Sequence, residues 1–244
     1  MSEHKDNVLI HSLVGAPVDL NVENEDEQSP LFLASRSGKL EVVQILLERG
    51  ADFERHDWLK RTPLHGASRN GHHDVTHLLL DQGVNVNAKD ERLWTPLHMA
   101  SKSGKPRVIR LLLDRGAEVG AQTDLCRTPL HMASQEGRLD VVRLLLSSGA
   151  DAHTLDVDGE TALHLAAYYG HLKVTELLLE HGANIYNRNK KGELPFDLAS
   201  KKGHQDVAKV LVGSVTCGIW DMWDVVLTIV RLLWGLWNRR WLDL

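Results

Sequence analysis

Histidine is the residue type in this chain best suited to chemistry, because imidazole binds metals and transfers protons near neutral pH. The sequence holds 14 histidines, and four of them recur every 33 residues: His65, His98, His131 and His164. If each interval is one structural layer, neighbouring histidines lie about 10 Å apart, which is the packing distance of helices. Zinc binds its nitrogen ligands at about 2 Å, so these four cannot share one ion.

A second pair, His73 and His77, has the four-residue spacing that places two imidazoles on one face of a helix. The helix of a zinc protease also carries a glutamate between its histidines, and a third ligand completes the site. Neither accompanies this pair in the sequence. We therefore predict no metal site and no cofactor.

The motifs of common enzyme classes are also missing from the sequence. It contains no Gly-x-x-x-x-Gly-Lys phosphate loop and no Gly-x-Ser-x-Gly nucleophile elbow. Paired carboxylates occur only in segments that we expect to be exposed loops. We predict that the chain is not an enzyme and has no small-molecule substrate.

Helix signals surround the periodic histidines. A phrase of the form Thr-Pro-Leu-His-x-Ala, in full or with substitutions, begins at Ser29, Thr62, Thr95, Thr128, Thr161 and Leu194. The Thr62 hydroxyl can cap a helix, and the proline after it fits the first turn, where no backbone N–H is needed. Gly71 ends this helix. The segment Asp74–Leu80 carries Val75, Leu78 and Leu79 on one helical face, which predicts an antiparallel partner helix before Gly83. The polar segment after Gly83 is then expected to project as a hairpin-like finger.

The phrase, the glycines that end each helix and the fixed period together resemble the ankyrin repeat family. The resemblance covers about residues 25–213. It implies an all-α ankyrin repeat solenoid of stacked helix-turn-helix units that binds other proteins, with periodic histidines that tie a helix to a neighbouring finger. We divide the chain into a partial N-terminal capping unit (1–24), six ankyrin repeats (25–213) and a Trp-rich tail (214–244).

Composition narrows the classes of partner. A net charge of -5, with both signs mixed along the chain, predicts neither nucleic-acid binding nor a general attraction to anionic membranes. The two cysteines, Cys126 and Cys217, form no paired motif, which fits a reducing compartment. The first residues resemble no secretion signal. We expect an intracellular, cytoplasmic protein, with association to a membrane surface and a nuclear location left open.

Residues whose type the repeat pattern does not dictate are the candidates for partner contact. In ankyrin proteins these positions are the finger tips and the exposed end of each first helix. Tryptophan, tyrosine and arginine dominate binding hot spots. Our predicted partner-binding set contains the residues of these types at those positions: Trp58, Arg61, Arg69, Arg92, Trp94, Arg127, Tyr168 and Tyr169. The alternative for each tryptophan is that it only packs against a neighbouring finger.

One finger position departs from the family pattern. The expected tip glycine is present as Gly159 and Gly192, whereas the first four fingers have other residues there: Glu27, Lys60, Leu93 and Cys126. Side chains at positive φ carry a conformational cost. We expect either altered turns in these four fingers or a surface selected for contact.

The tail holds five of the seven tryptophans. Helical spacing gives it one apolar face, our predicted membrane or tail contact: Trp220, Trp223, Leu227, Val230, Trp234, Trp237 and Trp241. Arg231 near a bilayer centre costs about 2.5–3.5 kcal/mol, so an interfacial helix fits better than a span. The face can cover a membrane surface, the last repeat or another protein, and the tail can also be a gene-prediction artefact.

Two functions of different class follow. The first is a protein-protein interaction scaffold, or adaptor, that binds its partner in the concave groove of the stack. The second is a membrane-associated array that the tail tethers to a bilayer surface. A weaker third hypothesis makes the chain a substrate, because Asn87 resembles asparagines that are hydroxylated in other ankyrin repeats.

Overall fold

The computed structural model describes residues 19–214, and the regular secondary structure of that range is helical throughout, without strands. The helices are α1 (Pro30–Ser37), α2 (Leu40–Glu48), α3 (Pro63–Asn70), α4 (His73–Asp81), α5 (Pro96–Ser103), α6 (Pro106–Asp114), α7 (Pro129–Gln135), α8 (Leu139–Ser147), α9 (Ala162–Tyr169), α10 (Leu172–Glu180) and α11 (Pro195–Lys202). A helical segment at 205–214 follows α11. The chain therefore forms consecutive pairs of short helices, as the sequence predicts.

Each first helix begins and ends where its local chemistry requires. In α1, the Ser29 hydroxyl accepts a hydrogen bond from the Phe32 N–H at 3.2 Å, which satisfies one of the N–H groups that a helix start leaves without a partner. Helix α9 ends at Gly170, whose φ of 76° favours glycine. A Cβ at this glycine would lie 2.4 Å from Nδ1 of His204, so packing against the next pair also excludes a larger residue.

The helix pairs stack into two rows. The first helices α1, α3, α5, α7, α9 and α11 pack on one another in sequence order, and α2, α4, α6, α8 and α10 form the second row beside them. One buried alanine in each first helix lets neighbouring backbones approach closely: Ala34, Ala67, Ala100, Ala133, Ala166 and Ala199. Buried leucines and valines of both rows complete one continuous core.

The fingers between the helix pairs bond directly to one another. The Glu91 N–H donates to the Leu59 carbonyl at 2.9 Å, and the Asp124 N–H donates to the Arg92 carbonyl at 3.1 Å. The same bond recurs at Lys190, which donates to Asp158 at 2.9 Å. This backbone ladder fixes the finger tips relative to one another.

The turns in the first four fingers are not altered, so the first of the two alternatives was wrong, and a surface selected for contact stays a prediction. Glu27, Lys60, Leu93 and Cys126 have φ values of 56–59°, the same left-handed region as Gly159 at 72° and Gly192 at 77°. Because the hydrogen bonds between fingers fix the turn, the four non-glycine residues adopt this strained backbone conformation.

The other sequence predictions divide by region. The all-α stack of helix-turn-helix units is confirmed. Most of the predicted capping unit, residues 1–18, and the predicted apolar tail face from Trp220 to Trp241 lie outside the described residues. Within residues 19–214, no helix has both the length and the apolar character needed to cross a bilayer.

Candidate partner-binding groove

The groove is the face formed by the exposed ends of the first helices and the inner side of the fingers. Its wall is held by His65, which bonds in two directions. The Thr62 N–H donates to Nδ1 of His65 at 3.1 Å, so this nitrogen must be the acceptor. The proton therefore resides on Nε2, which donates to the Trp94 carbonyl of the next finger at 3.0 Å. We call this arrangement the histidine latch.

The latch recurs along the stack. His98, His131 and His164 reach the carbonyls of Arg127, Glu160 and Glu193 at 3.0, 3.1 and 3.3 Å. Burial lowers the pKa of His65 and His98 to about 4, and it also lowers the pKa of His131 and His164. The contact with a neighbouring finger that the family resemblance implied is present at each of these histidines, which are neutral near pH 7.

A second histidine series went unassigned from the sequence. His72, His171 and His204 each follow a helix-ending glycine, and Nε2 of each lies 2.9–3.1 Å from a carbonyl oxygen at the end of the preceding first helix. Helix ends leave carbonyls without intrahelical partners, and these side chains satisfy them. The period of 33 residues shared by His171 and His204 was a signal that could have revealed this role.

The predicted helix pair His73 and His77 occupies the surface of α4. Nδ1 of His77 lies 2.8 Å from the Asp81 carboxylate, which also binds Arg115 at 2.9 Å. Within residues 19–214, no group of three or more histidine, cysteine or acidic side chains is placed to hold a metal.

Buried aspartates at the bases of the fingers hold two of the predicted arginines in position. Asp57 is 0% exposed and accepts hydrogen bonds from the Arg61 N–H at 2.9 Å and from Nε of Arg61 at 2.8 Å. Arg127 donates through Nε to the buried Asp156 of the next finger at 3.0 Å. It also donates to Gln135 at 3.1 Å. These two guanidinium groups are fixed in place before any partner arrives.

The predicted aromatic residues differ in how much surface they offer. Trp58 is 55% exposed at a finger tip. Trp94 is half-buried, with its ring 6.0 Å from that of His98 and Nζ of Lys102 5.5 Å from the ring centre. Contacts with neighbouring residues therefore cover part of the Trp94 side chain but little of the Trp58 side chain.

Two tyrosines form a separate aromatic patch at the end of α9. The rings of Tyr168 and Tyr169 meet edge to face at 4.9 Å, and Nζ of Lys202 lies 4.3 Å from the Tyr168 ring centre. Tyr169 remains exposed. This patch lies two helix pairs beyond Trp94 along the stack.

One cleft joins two of the predicted contact residues. Arg61 and Arg69 line it, together with residues that the sequence analysis did not select: Phe32, Arg36, His65, Gly66 and Met99. The remaining predicted residues lie outside this cleft: Trp58, Arg92, Trp94, Arg127, Tyr168 and Tyr169.

Comparison with known proteins identifies the repeats. Three copies of a family model described as ankyrin repeats match residues 1–90, 90–156 and 130–220. No curated protein matches the chain. The family match spans all the helix pairs that build the groove.

Proposed function

Because the chain belongs to the ankyrin repeat family, we propose that it is a protein-protein interaction scaffold that binds a partner protein in its concave groove. Ankyrin repeats generally mediate protein-protein interaction, and stacked repeats present one extended concave surface. The observation that carries the proposal is the exposure of Trp58, Tyr169 and Arg69, which we assign to that surface. These are the residue types that dominate binding energy.

The groove is also organised in advance. The histidine latches and the finger ladder fix the backbone, and the carboxylates of Asp57 and Asp156 orient Arg61 and Arg127. Binding to a rigid surface costs less conformational entropy than binding to a mobile one. A partner therefore meets side chains that already point in their bound directions.

The bond pattern separates scaffold residues from contact residues. The rings of His65 and His98 use both nitrogens inside the stack, so they are not available to a partner. The Trp58 indole ring is mostly in solvent, and the described contacts do not engage it. We therefore assign binding energy to Trp58 and structural support to the latches.

Site-specific photo-crosslinking tests this function. Benzoylphenylalanine replaces Trp58 or Tyr169 in the groove, or Ile45 in α2 as the control, since Ile45 and Tyr169 are both 46% exposed. We expect the two groove positions to capture the same partner in cells and the control position to capture none of it. Equal capture from Ile45 would contradict the groove as the binding surface.

Alanine substitution gives the energetic test. Trp58→Ala combined with Trp94→Ala should weaken binding of the captured partner by about 2 kcal/mol, because tryptophans in hot spots contribute at that level. The melting temperature of Trp58→Ala should be nearly unchanged, because Trp58 is 55% exposed. Since Trp94 is half-buried, Trp58→Ala alone is measured as well; a stability loss in that single variant would make Trp58 structural.

A further inference from the structure

A notch interrupts the concave face at Gly66 in α3. The equivalent position in the other first helices carries a large apolar residue: Leu33, Met99, Met132, Leu165 and Leu198. Gly66 lies inside its helix and is not among the positive-φ glycines, so its own φ angle does not require glycine. Glycine in a helix interior costs about 1 kcal/mol relative to alanine. The chain accepts that cost where a side chain would fill the groove.

The missing side chain opens the cleft between α1, α3 and α5. A Cβ on Gly66 would lie 3.2 Å from the Cβ of Arg36, so the glycine also lets α1 and α3 approach closely at the edge of the cleft. Phe32, which is buried, and Met99, which is half-buried, give the cleft apolar walls. The space suits one apolar side chain of a ligand.

The rim of this cleft is basic. Arg36, Arg61 and Arg69 all line it, and its lining includes no carboxylate. Arg61 is paired with Asp57, but within residues 19–214 neither Arg36 nor Arg69 forms an ion pair. His65 is neutral at pH 7 because burial lowers its pKa to about 4. The two remaining guanidinium charges therefore face the cleft without a counter-charge.

Corresponding places further along the groove lack this combination. Met132 and Leu165 fill the position of Gly66, and Gln135 and Tyr168 replace the arginine at the end of the first helix. The guanidinium of Arg127 is bound to Asp156 and Gln135. An open, basic and apolar-walled cleft is therefore specific to the part of the groove built by α1, α3 and α5.

We propose that this cleft docks an acidic segment of the partner protein, with one apolar side chain entering the notch at Gly66 and flanking carboxylates bound by Arg36 and Arg69. The inference rests on the proposed function, because it names the partner chemistry for the same groove. Arginine binds carboxylates through two parallel hydrogen bonds, which gives both strength and direction. The charge of the rim selects an acidic chain over a basic or neutral one.

Peptide selection on the immobilised full chain tests the inference. The probe is a library of random peptides, and binders are recovered at physiological salt and sequenced. We expect strong enrichment of Asp and Glu on both sides of an apolar residue. We also expect the affinity of a selected peptide to fall by about tenfold or more when each Glu becomes Gln, and to fall as salt increases.

Matched variants locate the binding site. Arg36→Glu with Arg69→Glu should reduce the affinity for a selected peptide by about tenfold or more. Arg110→Glu with Arg143→Glu makes the same charge change on exposed residues of α6 and α8, and it should leave the affinity within about threefold. Melting curves confirm that both double variants are folded.

A substitution that fills the notch tests the contribution of its shape to binding separately from that of its charge. Gly66→Met installs the residue that α5 and α7 carry and keeps all three arginines, and it should also lower the affinity by about tenfold. If that variant is unstable, Gly66→Ala is used, which adds a single methyl group 3.2 Å from the Cβ of Arg36, at the edge of the cleft. Unchanged affinity in both the charge-reversed and the filled variants would overturn the inference.

The outcomes also distinguish the inference from the proposed function. Selected peptides that are not acidic, but lose affinity on Trp58→Ala, would overturn the acidic docking site and leave groove binding standing. Peptides insensitive to every groove substitution would contradict both. A photo-crosslinker at Arg69 that captured this chain's own terminal residues or a second copy, instead of a partner, would also overturn the acidic partner segment.

Discussion

Two parts of the groove, at α3 and at α7, use the same bonds for support and different side chains for their surface. His65 in α3 and His131 in α7 make the same latch, at 3.0 and 3.1 Å from the next finger. Beside the first lies the open notch at Gly66, whereas Met132 fills the equivalent place beside the second. Residues that repeat along the stack build the scaffold, and residues that break the repeat give each part of the groove its chemistry.

If the latches are shared support, acid should destabilise each part of the stack that a latch holds. A histidine held neutral in the folded state at a pKa of about 4 gains a proton near pH 6.5 only after unfolding. The unfolded chain therefore binds more protons between pH 6.5 and 4, and stability falls as pH falls through that window. We expect His65 and His98 each to account for about 2 kcal/mol lost by pH 5, measured by urea unfolding. Equal unfolding free energies at pH 7 and pH 5 would contradict the latch.

The buried acids test the same shared support with substitutions. Arg61→Ala leaves Asp57 buried without its cation, and Arg127→Ala does the same to Asp156. We expect each to lower the free energy of unfolding by about 2 kcal/mol, because a buried charge loses its partner. Arg92→Ala, at an exposed tip, should stay within about 0.5 kcal/mol. Similar small losses in all three would mean that the arginines do not support the fingers.

The finger turns offer a second comparison within the stack. The positive-φ position of the turn is a non-glycine residue in the first four fingers and glycine in the last two. Lys60→Gly should raise the free energy of unfolding by about 1 kcal/mol, because it relieves left-handed strain. Gly192→Lys should lower it by a similar amount, and no atom lies near enough to Gly192 to add a clash. Thermal unfolding of both variants checks the opposite signs. If both substitutions changed the free energy of unfolding in the same direction, left-handed strain would not explain the effect.

The smallest expected effect concerns four buried serines in the first helices. The hydroxyls of Ser35, Ser68, Ser101 and Ser134 have no hydrogen-bond partner within residues 19–214, and the fifth first helix has Ala167 instead. Ser68→Ala should therefore stabilise the protein by about 0.5 kcal/mol. Ala167→Ser should destabilise it by a similar amount. Chemical denaturation of the two variants measures this difference, and a loss on Ser68→Ala would show that the hydroxyl is bonded.

The sequence was sufficient for features that depend on local chemistry. The Thr-Pro step, the glycine at the end of each helix and the 33-residue period predict the helix pairs, because capping and turn conformation are local. Exposed Trp58 was predicted from its finger position. The latch histidines were assigned through the family resemblance, and the structure supplies their bonds.

Features that depend on contacts between units were missed. Nothing adjacent to Asp57 or Asp156 in sequence shows that Arg61 stays within its own finger while Arg127 crosses to the next one. The cleft at Gly66 was also missed, because it is a missing side chain surrounded by residues from three helices. Comparing equivalent positions across the repeats would have revealed this glycine.

The most direct measurement is the affinity of the cross-linked partner, once purified, for the wild-type chain and for two double variants whose folding is checked by melting curves. Trp58→Ala with Trp94→Ala should raise the Kd by about 30-fold, which corresponds to about 2 kcal/mol. Arg110→Glu with Arg143→Glu, on the second row of helices, should leave the Kd within about threefold. A Kd that changes equally in both variants, or only in the second, would contradict a partner bound in the concave groove.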